Sequence, residues 1–397
     1  MRRTSCSSCG SAELTTFLNL GDSPIADAYT ATADEVSPRY PLDVAVCGKC
    51  RLIQLLEVVD GKTLFGTGYS FYSSASAPLS AYHRQYAADV LGRHPDLARQ
   101  GVLEVGCNDG DLLRHFAEFP TLGVDPAEGP AAAARDRGLD VDARPFSLEV
   151  AQEIRRDRGP FGVVVANHVL AHVEDVADVL CGIGNVLADD GIAYIEVQYA
   201  PDLLVNNAFD LVYHEHRNFF SLQALKAAAT VQGLLITDAW LTDRQGGSLR
   251  AAFRVRSDQT SEEYARVGHI LQSERWLNSD AAYEGMQGRA ERIRTRLLDM
   301  IAAEQSAGRT VAGYGAPAKA TTLLNFCGID ASMLSHVVDT TEAKRGRFIP
   351  GTGIPIVDPP GRRADTFLLL AWNYARTIMR ANPGPRWIVP IPAPTLL

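Results

Sequence analysis

Residues 102–110 read Val-Leu-Glu-Val-Gly-Cys-Asn-Asp-Gly, an apolar run that breaks into a glycine turn. The run carries β-branched residues and is typical of a buried strand. Residues 111–118 continue with apolar side chains at helical spacing, so the stretch predicts a strand, a tight turn and a helix in succession. Glycine lets the backbone of such a turn approach a ligand closely, because it has no Cβ and tolerates positive φ.

The turn differs from the common phosphate-binding patterns. Its spacing is Glu-x-Gly-x-x-x-Gly rather than the dinucleotide G-x-G-x-x-G, and no Lys-Ser/Thr pair follows it. A turn with carboxylates suits a cationic or sugar-containing ligand better than a pyrophosphate. The next predicted strand, 121–125, ends at Asp125, where an acid can bind ribose hydroxyls. These features are typical of the S-adenosylmethionine site of a Rossmann-like methyltransferase, and the alternative is a βαβ crossover without a ligand.

Composition narrows the class of protein. The 397 residues are enough for two or three domains, and 46% hydrophobic and 21% charged residues are typical of a soluble globular protein. The net charge is −9 and no basic run occurs, which argues against nucleic acid as a partner. No apolar run reaches the length of a membrane span and no signal core is present. We therefore expect a cytoplasmic protein without membrane contact.

The first block, residues 1–72, contains two C-x-x-C pairs and predicts a zinc-binding domain. Two such turns can place four thiolates around one metal in a closed tetrahedral site, which gives zinc a structural rather than a catalytic role. The alternatives are a redox-active dithiol and coincidence. The separation between the pairs exceeds that of a zinc ribbon, so the proline-containing loop between them must be an insertion or a small subdomain. The predicted zinc ligands are Cys6, Cys9, Cys47 and Cys50.

The second block, residues 73–256, alternates predicted strands and helices. This order indicates a mainly parallel sheet covered on both faces, with ligands at the carboxyl ends of the strands. Asn167, His168, Gln198 and Tyr199 follow two of these strands. The strands are predicted at 101–105, 121–125, 161–166, 191–197, 234–240 and 248–256, and the helices at 81–92, 111–118, 128–137, 147–157, 174–187 and 221–231. The predicted cofactor-binding residues are Glu104, Gly106, Asn108, Asp109, Gly110, Asp125, Pro126 and Asn167.

A polar aromatic loop follows the fourth strand. It places Tyr213, two histidines and Glu215 within four residues, ahead of Phe219 and Phe220. The two phenylalanines would exclude water and shift the pKa values of the polar groups, which favours proton-transfer chemistry. Metal binding by His-x-His and a solvent-exposed loop are the alternatives, and the H-E-x-x-H spacing of a zinc helix is absent.

The third block, residues 257–397, predicts a second α/β domain. Residues 261–306 predict one long helix or a helix pair. Gly313-x-Gly315-x-x-Ala318 then approximates the dinucleotide pattern, with Lys319 near the helix start and predicted strands at 335–339 and 366–371. Four basic residues could hold a diphosphate, and the alternative is a basic surface patch. They are Lys319, Lys344, Arg345 and Arg347.

These motifs, in this order, resemble the three-domain sugar C-methyltransferases of deoxysugar biosynthesis, which attach branches to antibiotic sugars. The motifs are the two C-x-x-C pairs, Glu-x-Gly-Cys-Asn-Asp-Gly at 104–110, Tyr-His-Glu-His at 213–216 and Gly-Tyr-Gly-Ala-Pro-Ala-Lys at 313–319. The resemblance covers nearly the whole chain. It implies structural zinc in the first domain, S-adenosylmethionine in the middle domain, and a thymidine-diphosphate 4-keto-6-deoxysugar between the middle and C-terminal domains.

The resemblance also implies roles for individual residues. His216 is the expected base, with Tyr213, Glu215 and His172 beside it and a tyrosine from the domain junction, Tyr72 or Tyr69. The predicted substrate-binding residues are Tyr69, Tyr314, Gly315, Lys319, Asp339 and Lys344. The base would remove a proton from the carbon next to the ketone, C3, and the enolate would then take the methyl group.

Several alternatives stay open from the sequence. A related enzyme could methylate C5, or a nitrogen or oxygen atom. A non-catalytic zinc protein that binds S-adenosylmethionine and a nicotinamide dehydrogenase built on Gly313-x-Gly315 are more distant alternatives. The resemblance favours a monomer.

Overall fold

The computed structural model describes residues 1–65, 71–242, 246–255, 261–359 and 364–397. Tyr69 lies outside these residues. The described strands, in chain order, are β1 (Leu14–Pro24), β2 (Arg39–Cys47), β3 (Ile53–Leu55), β4 (Val102–Val105), β5 (Thr121–Val124), β6 (Val141–Asp142), β7 (Phe161–Asn167), β8 (Leu187–Gln198), β9 (Asn218–Phe219), β10 (Leu235–Thr242), β11 (Ser248–Arg254), β12 (Val311–Tyr314), β13 (Val337–Val338), β14 (Ile356–Val357), β15 (Thr366–Leu369), β16 (Arg386–Val389) and β17 (Thr395–Leu396).

The described helices, in chain order, are α1 (Gly61–Phe65), α2 (Ala77–Arg93), α3 (Pro95–Ala98), α4 (Glu128–Asp136), α5 (Leu148–Arg158), α6 (Val176–Val186), α7 (Ala200–Val205), α8 (Leu222–Val231), α9 (Ser261–Ser273), α10 (Met286–Ser306), α11 (Ala318–Cys327) and α12 (Ala375–Ala381). Segment 261–306 is therefore a helix pair, because two 3-10 turns and Gly285, with φ +74°, separate α9 from α10. No helix within the described ranges is long and apolar enough to span a membrane.

The middle sheet has the order β10-β11-β8-β7-β4-β5-β6. The five strands from β8 to β6 are parallel, and β10 and β11 add an antiparallel edge. This agrees with the predicted mainly parallel sheet. The helix predicted at 111–118 is instead a 3-10 turn, Leu113–Phe116. Pro120 follows closely and disfavours helical backbone at the residue before it, which leaves little length for a helix.

The C-terminal sheet has the order β14-β13-β12-β15-β16-β17 and is parallel except for β17. The predicted fold class, α/β with a zinc-binding N-terminal domain and two Rossmann-like domains, is confirmed.

The N-terminal sheet contains a strand that the sequence assigned to the middle domain. Its order is β1-β2-β3-β9, and β9 follows directly after the Tyr-His-Glu-His segment. Ile53 pairs with Phe219 and Gln54 with Asn218. The N-terminal sheet also shares a buried apolar cluster with α10 and α11 of the C-terminal domain. The predicted catalytic segment is thereby held against the zinc-binding domain, and the domain boundaries at 72 and 256 stay predictions.

Candidate active site and zinc centre

The turn after β4 requires glycine at its first position. Gly106 has φ +73°, and a Cβ there would lie 2.4 Å from Val169 Cγ2. Gly110 closes the turn with φ +75°. Asp125, at the end of the next strand, accepts hydrogen bonds from the backbone N–H groups of Asn108 at 2.8 Å and Ala127 at 2.9 Å. Asp125 therefore fixes the shape of the turn, and it lies at the position predicted for binding a ribose. Pro126, the next residue, is exposed.

Asn108 and Asp109 use their side chains to hold the segment that enters the middle domain. Asn108 Oδ1 accepts from the Ser73 backbone N–H at 2.8 Å, and its Nδ2 donates to the Phe71 carbonyl at 3.1 Å. Asp109 accepts from the hydroxyl of Ser74. These two predicted cofactor ligands thus shape the wall of the site, and their direct contact with the cofactor stays a prediction.

Glu104 and Asn167 present buried polar atoms into this region. Glu104 Oε2 and both side-chain polar atoms of Asn167 have no hydrogen-bond partner among the described residues. Burial, with Asp125 and Asp111 nearby, raises the pKa of Glu104. A nearby cation would lower this raised pKa and favour the ionised form of the carboxyl group, so this set of donors and acceptors fits the positively charged S-adenosylmethionine.

Tyr72 lies on the cofactor side of the molecule. A Cβ added at Gly129, near the start of α4, would lie 2.8 Å from the Tyr72 hydroxyl. Asp125 lies four residues before Gly129. This position is next to the predicted ribose site, and the catalytic role of Tyr72 stays a prediction.

His216 is the centre of the predicted catalytic segment. Its Nδ1 lies 3.0 Å from the Leu211 carbonyl oxygen and its Nε2 lies 2.8 Å from the Tyr213 hydroxyl. Because a carbonyl oxygen only accepts, Nδ1 carries the proton and Nε2 carries the lone pair. Burial, with His172 beside it, lowers the pKa of His216 and keeps the imidazole neutral. In this arrangement Nε2 is the ring nitrogen of His216 that can accept a proton.

His172 packs against His216 although 44 residues of chain separate them, with ring centroids 5.1 Å apart. Its Nδ1 donates to the Glu215 carbonyl at 2.6 Å, and burial lowers the pKa of His172 to about 4. Both imidazoles are therefore neutral at neutral pH. The structure brings the four predicted residues of this set together: His172, Tyr213, Glu215 and His216.

The N-terminal domain contributes an acid that the sequence did not single out. Asp27 donates its backbone N–H to Glu215 Oε1 at 3.4 Å. Burial, with Asp27 nearby, raises the pKa of Glu215 to about 8. Burial also raises the pKa of Asp27, although the positive charge of Lys344 acts to lower it. Asp27 lies in the proline-containing insertion, where an acid is ordinary, so only the tertiary contact reveals it.

A second unpredicted group surrounds Glu196 on β8. Arg250 Nε donates to Glu196 Oε2 at 2.9 Å, and the Tyr82 hydroxyl donates to the same oxygen. Burial alone would raise the pKa of Glu196, but His168 and Arg250 outweigh it and lower that pKa to about 2. His168, which the sequence noted at a strand end, lies beside this carboxylate, with its Nε2 3.4 Å from Glu196 Oε1.

The turn after β12 repeats the plan of the first. Gly315 has φ +82°, and a Cβ there would lie 2.7 Å from Ala371 Cβ. Asp339 accepts from the backbone N–H of Ala316 at 2.6 Å, as Asp125 does in the middle domain. The Tyr314 ring packs among the aromatic side chains of this sheet, and its hydroxyl accepts from Asn382 at 3.1 Å.

The two predicted phosphate-binding lysines are already engaged. Lys319 is buried, its Nζ donates to Asn373 Oδ1 at 2.8 Å and lies 3.8 Å from the Trp372 ring centroid. Burial lowers the pKa of Lys319 to about 8. Lys344 Nζ donates to the Ala316 carbonyl at 2.8 Å. Arg345, in contrast, is paired with Asp358 on an exposed surface. Contact of these residues with a phosphate stays a prediction.

The four predicted zinc ligands converge. Their Sγ atoms lie within 4.8 Å of one another, and the Cys6–Cys50 and Cys9–Cys47 pairs are each 3.6 Å apart. With Zn–S bonds of about 2.3 Å, a tetrahedral site requires sulfur separations of roughly 3.8 Å. The spacing and the four-thiolate chemistry fit structural zinc.

Three protein-family models match successive parts of the chain. A zinc binding domain model matches residues 6–65, a methyltransferase domain model residues 80–238, and a C-methyltransferase C-terminal domain model residues 243–392. C-methyltransferase NovU of Streptomyces niveus is 34% identical over 406 residues, which cover 99% of this chain and 96% of NovU. The chain belongs to this C-methyltransferase family. The methyltransferase is thus an S-adenosylmethionine-dependent enzyme with a structural zinc site.

Other similarities to the methyltransferase are partial. Ubiquinone biosynthesis O-methyltransferase of Caulobacter vibrioides is 31% identical over 100 residues, which cover 24% of this chain and 39% of that protein. The structure of an S-adenosylmethionine-dependent methyltransferase from Clostridium acetobutylicum covers 44% of this chain and 92% of its own, with 12% identity and a TM-score of 0.36.

Proposed function

We propose that this methyltransferase transfers a methyl group to C3, next to the ketone, of a thymidine-diphosphate 4-keto-6-deoxysugar in antibiotic deoxysugar biosynthesis. The observation that carries the proposal is His216, whose Nδ1 proton is fixed on the Leu211 carbonyl and whose Nε2 lone pair faces a hydroxyl. C-methylation needs a base for a carbon acid, whereas methylation of an oxygen or nitrogen does not. A buried neutral imidazole supplies this base.

The same site contains donors for the enolate that deprotonation would form. The Tyr213 hydroxyl now donates to His216 Nε2 and can turn to the ketone oxygen when the C–H group takes its place. Glu215, with a pKa of about 8, is protonated at pH 7, and its Oε2 is buried without a partner among the described residues. A neutral carboxylic acid in an apolar site can donate to an enolate oxygen.

The two glycine turns supply the reactant sites in this proposal. S-adenosylmethionine supplies an electrophilic methyl group on a sulfonium, and the turn at 106–110, Glu104 and Asn167 would hold it. Gly315, Asp339, Lys319 and Lys344 would bind the nucleoside diphosphate. Holding two reactants in line supplies much of the acceleration in such a transfer. The monomeric state and the cytoplasmic location stay predictions.

The experiment follows deuterium in a thymidine-diphosphate 4-keto-6-deoxyhexose by NMR, with the enzyme in deuterium oxide. We expect deuterium to enter at C3 without S-adenosylmethionine and a carbon-bound methyl group to appear when it is added. The His216→Asn variant should bind both ligands and lose exchange, because it lacks the base. His214→Asn is the matched control, since His214 contacts the Tyr40 carbonyl of the N-terminal sheet and should retain exchange.

The outcomes separate the alternatives. Normal exchange in the His216→Asn enzyme would remove His216 as the base. Deuterium and a methyl group at C5 would show that the enzyme methylates the carbon on the other side of the ketone. Methylation of a nitrogen or oxygen atom without exchange would contradict the proposed removal of a C–H proton.

A further inference from the structure

The zinc centre and the catalytic histidines are connected through a short chain of buried hydrogen bonds. The C-x-x-C turn at 47–50 leads directly into β3, and β3 pairs with β9. The Leu55 N–H donates to the Arg217 carbonyl at 2.9 Å, one residue after His216. The C-x-x-C turn at 47–50 is therefore connected, through the pairing of β3 with β9, to the segment that carries His216.

Ser7, between the first two cysteines, makes the connection specific. Its backbone N–H donates to Gln54 Oε1 at 3.0 Å, and its hydroxyl donates to Asn218 Oδ1 at 2.7 Å. Its carbonyl accepts from the Val176 N–H at 3.2 Å, at the start of α6. The segment 6–9, which holds the first two zinc ligands, is called the zinc loop here. Through Ser7 it contacts both β9 and α6, the helix that follows the His172 loop.

Asn218 carries the connection to His172. Its side chain is fully buried, and Nδ2 donates to the carbonyls of Leu170 at 3.1 Å and Val173 at 2.8 Å. These two carbonyls flank His172 on either side. The Asn218 backbone N–H also donates to Ala171 at 3.1 Å. The amide group uses its acceptor on the zinc loop and both its donors on the loop of His172.

We propose that Ser7 and Asn218 are positioning residues that set the separation of His172 from His216, so that the folded zinc loop takes part in preparing the base. The proposal rests on the proposed function, in which this histidine pair performs proton transfer. Hydrogen bonds that orient metal-ligating side chains typically change metal affinity or activity by about 10–100-fold when they are removed, and we expect an effect at the lower end of this range for the histidine pair.

The first test compares two neighbouring serines. Ser8 lies in the same loop, and its buried hydroxyl has no hydrogen-bond partner among the described residues. Ser7→Ala and Ser8→Ala remove the same atom from the same turn, but only Ser7→Ala breaks the link. We expect Ser7→Ala to lower the C3–H exchange rate about tenfold, with zinc content and S-adenosylmethionine affinity unchanged, and Ser8→Ala to match the parent enzyme.

The second readout does not depend on substrate. In protein labelled with ¹³C at histidine Cε1, the signals of His172 and His216 are assigned from their Asn variants. We expect both signals to shift in Ser7→Ala, to stay in place in Ser8→Ala, and to return in Ser7→Thr, which restores a hydroxyl. Asn218→Asp, which keeps the acceptor for Ser7 but loses the two donors, should shift the His172 signal further.

The results separate this inference from the proposed function. If the histidine signals move as expected in the variants while even the parent enzyme exchanges no proton of the sugar, the link is supported and the substrate assignment is wrong. Unmoved signals and full exchange in Ser7→Ala would overturn the link while leaving the proposed function intact. Equal losses of zinc or exchange in Ser7→Ala and Ser8→Ala would also overturn it, because they would reflect general damage to the loop.

Discussion

The turn after β4 and the turn after β12 share one backbone plan. Each contains a glycine with positive φ at which an added Cβ would clash with a neighbouring side chain. In each, an aspartate that follows the next strand accepts a hydrogen bond from a backbone N–H of the turn. Their side chains differ in charge. Buried carboxyl groups surround the first turn, including Glu104 and Asp109, whereas Lys319 and Lys344 lie at the second.

The shared backbone plan does not by itself distinguish the two turns as ligand sites. Both turns can bring backbone close to a nucleotide-like group, but carboxyl groups favour a sulfonium and ammonium groups favour a diphosphate. In the proposed function, the charge of these few side chains is what would direct each reactant to one of the two similar domains.

The largest expected effect comes from adding a methyl group to either turn. In Gly106→Ala, a Cβ at positive φ costs about 1–2 kcal/mol and the contact with Val169 adds about 1–3 kcal/mol. Because the turn must shift to relieve this cost of about 2–5 kcal/mol, we expect calorimetry to show S-adenosylmethionine binding weakened by roughly 30–4,000-fold, with thymidine diphosphate binding unchanged. Gly315→Ala is the matched variant and should give the reverse pattern. Equal loss of both ligands in either variant would mean that the turns do not serve separate ligands.

A smaller effect is expected from the charge at the second turn. Lys319→Met removes a charge-assisted contact worth about 1.5–3 kcal/mol, so thymidine diphosphate should bind roughly 10–150-fold more weakly. Lys226→Met, on the exposed face of α8, is the control and should leave affinity unchanged. If Lys319→Met left the affinity for thymidine diphosphate unchanged but lowered the unfolding temperature, the role of Lys319 would be to stabilise the fold by packing against Trp372.

The smallest effect is a difference in proton uptake. A cation near Glu104 lowers its raised pKa, so S-adenosylmethionine binding should release part of a proton. An anion near Lys319 raises its pKa from about 8, so thymidine diphosphate binding at pH 8 should take up part of a proton and weaken as the pH rises further. Calorimetry in buffers of different ionisation enthalpy measures both. The same sign at both sites would contradict the assigned difference in charge.

The sequence by itself determined the features that depend on local spacing. The C-x-x-C pairs, the strand and glycine turn at 102–110, the strand–glycine turn–helix unit at 311–327 and the aspartates after the next strands all follow from periodicity and short motifs, whereas the helix predicted at 111–118 was wrong. The clustering of Tyr213, Glu215 and His216 is also local. These residues are near one another along the chain, so the geometry of a turn or strand end is enough to predict their proximity.

Only the tertiary structure decided how these units meet. Asn108 binds a segment 35 residues away, Asp27 contacts Glu215 across 188 residues, and Ser7 reaches Asn218 across 211. The same is true of the place of β9 in the N-terminal sheet and of Lys319 over Trp372. Such contacts depend on which buried polar groups find partners once the domains pack, and local sequence does not encode the identity of those partners.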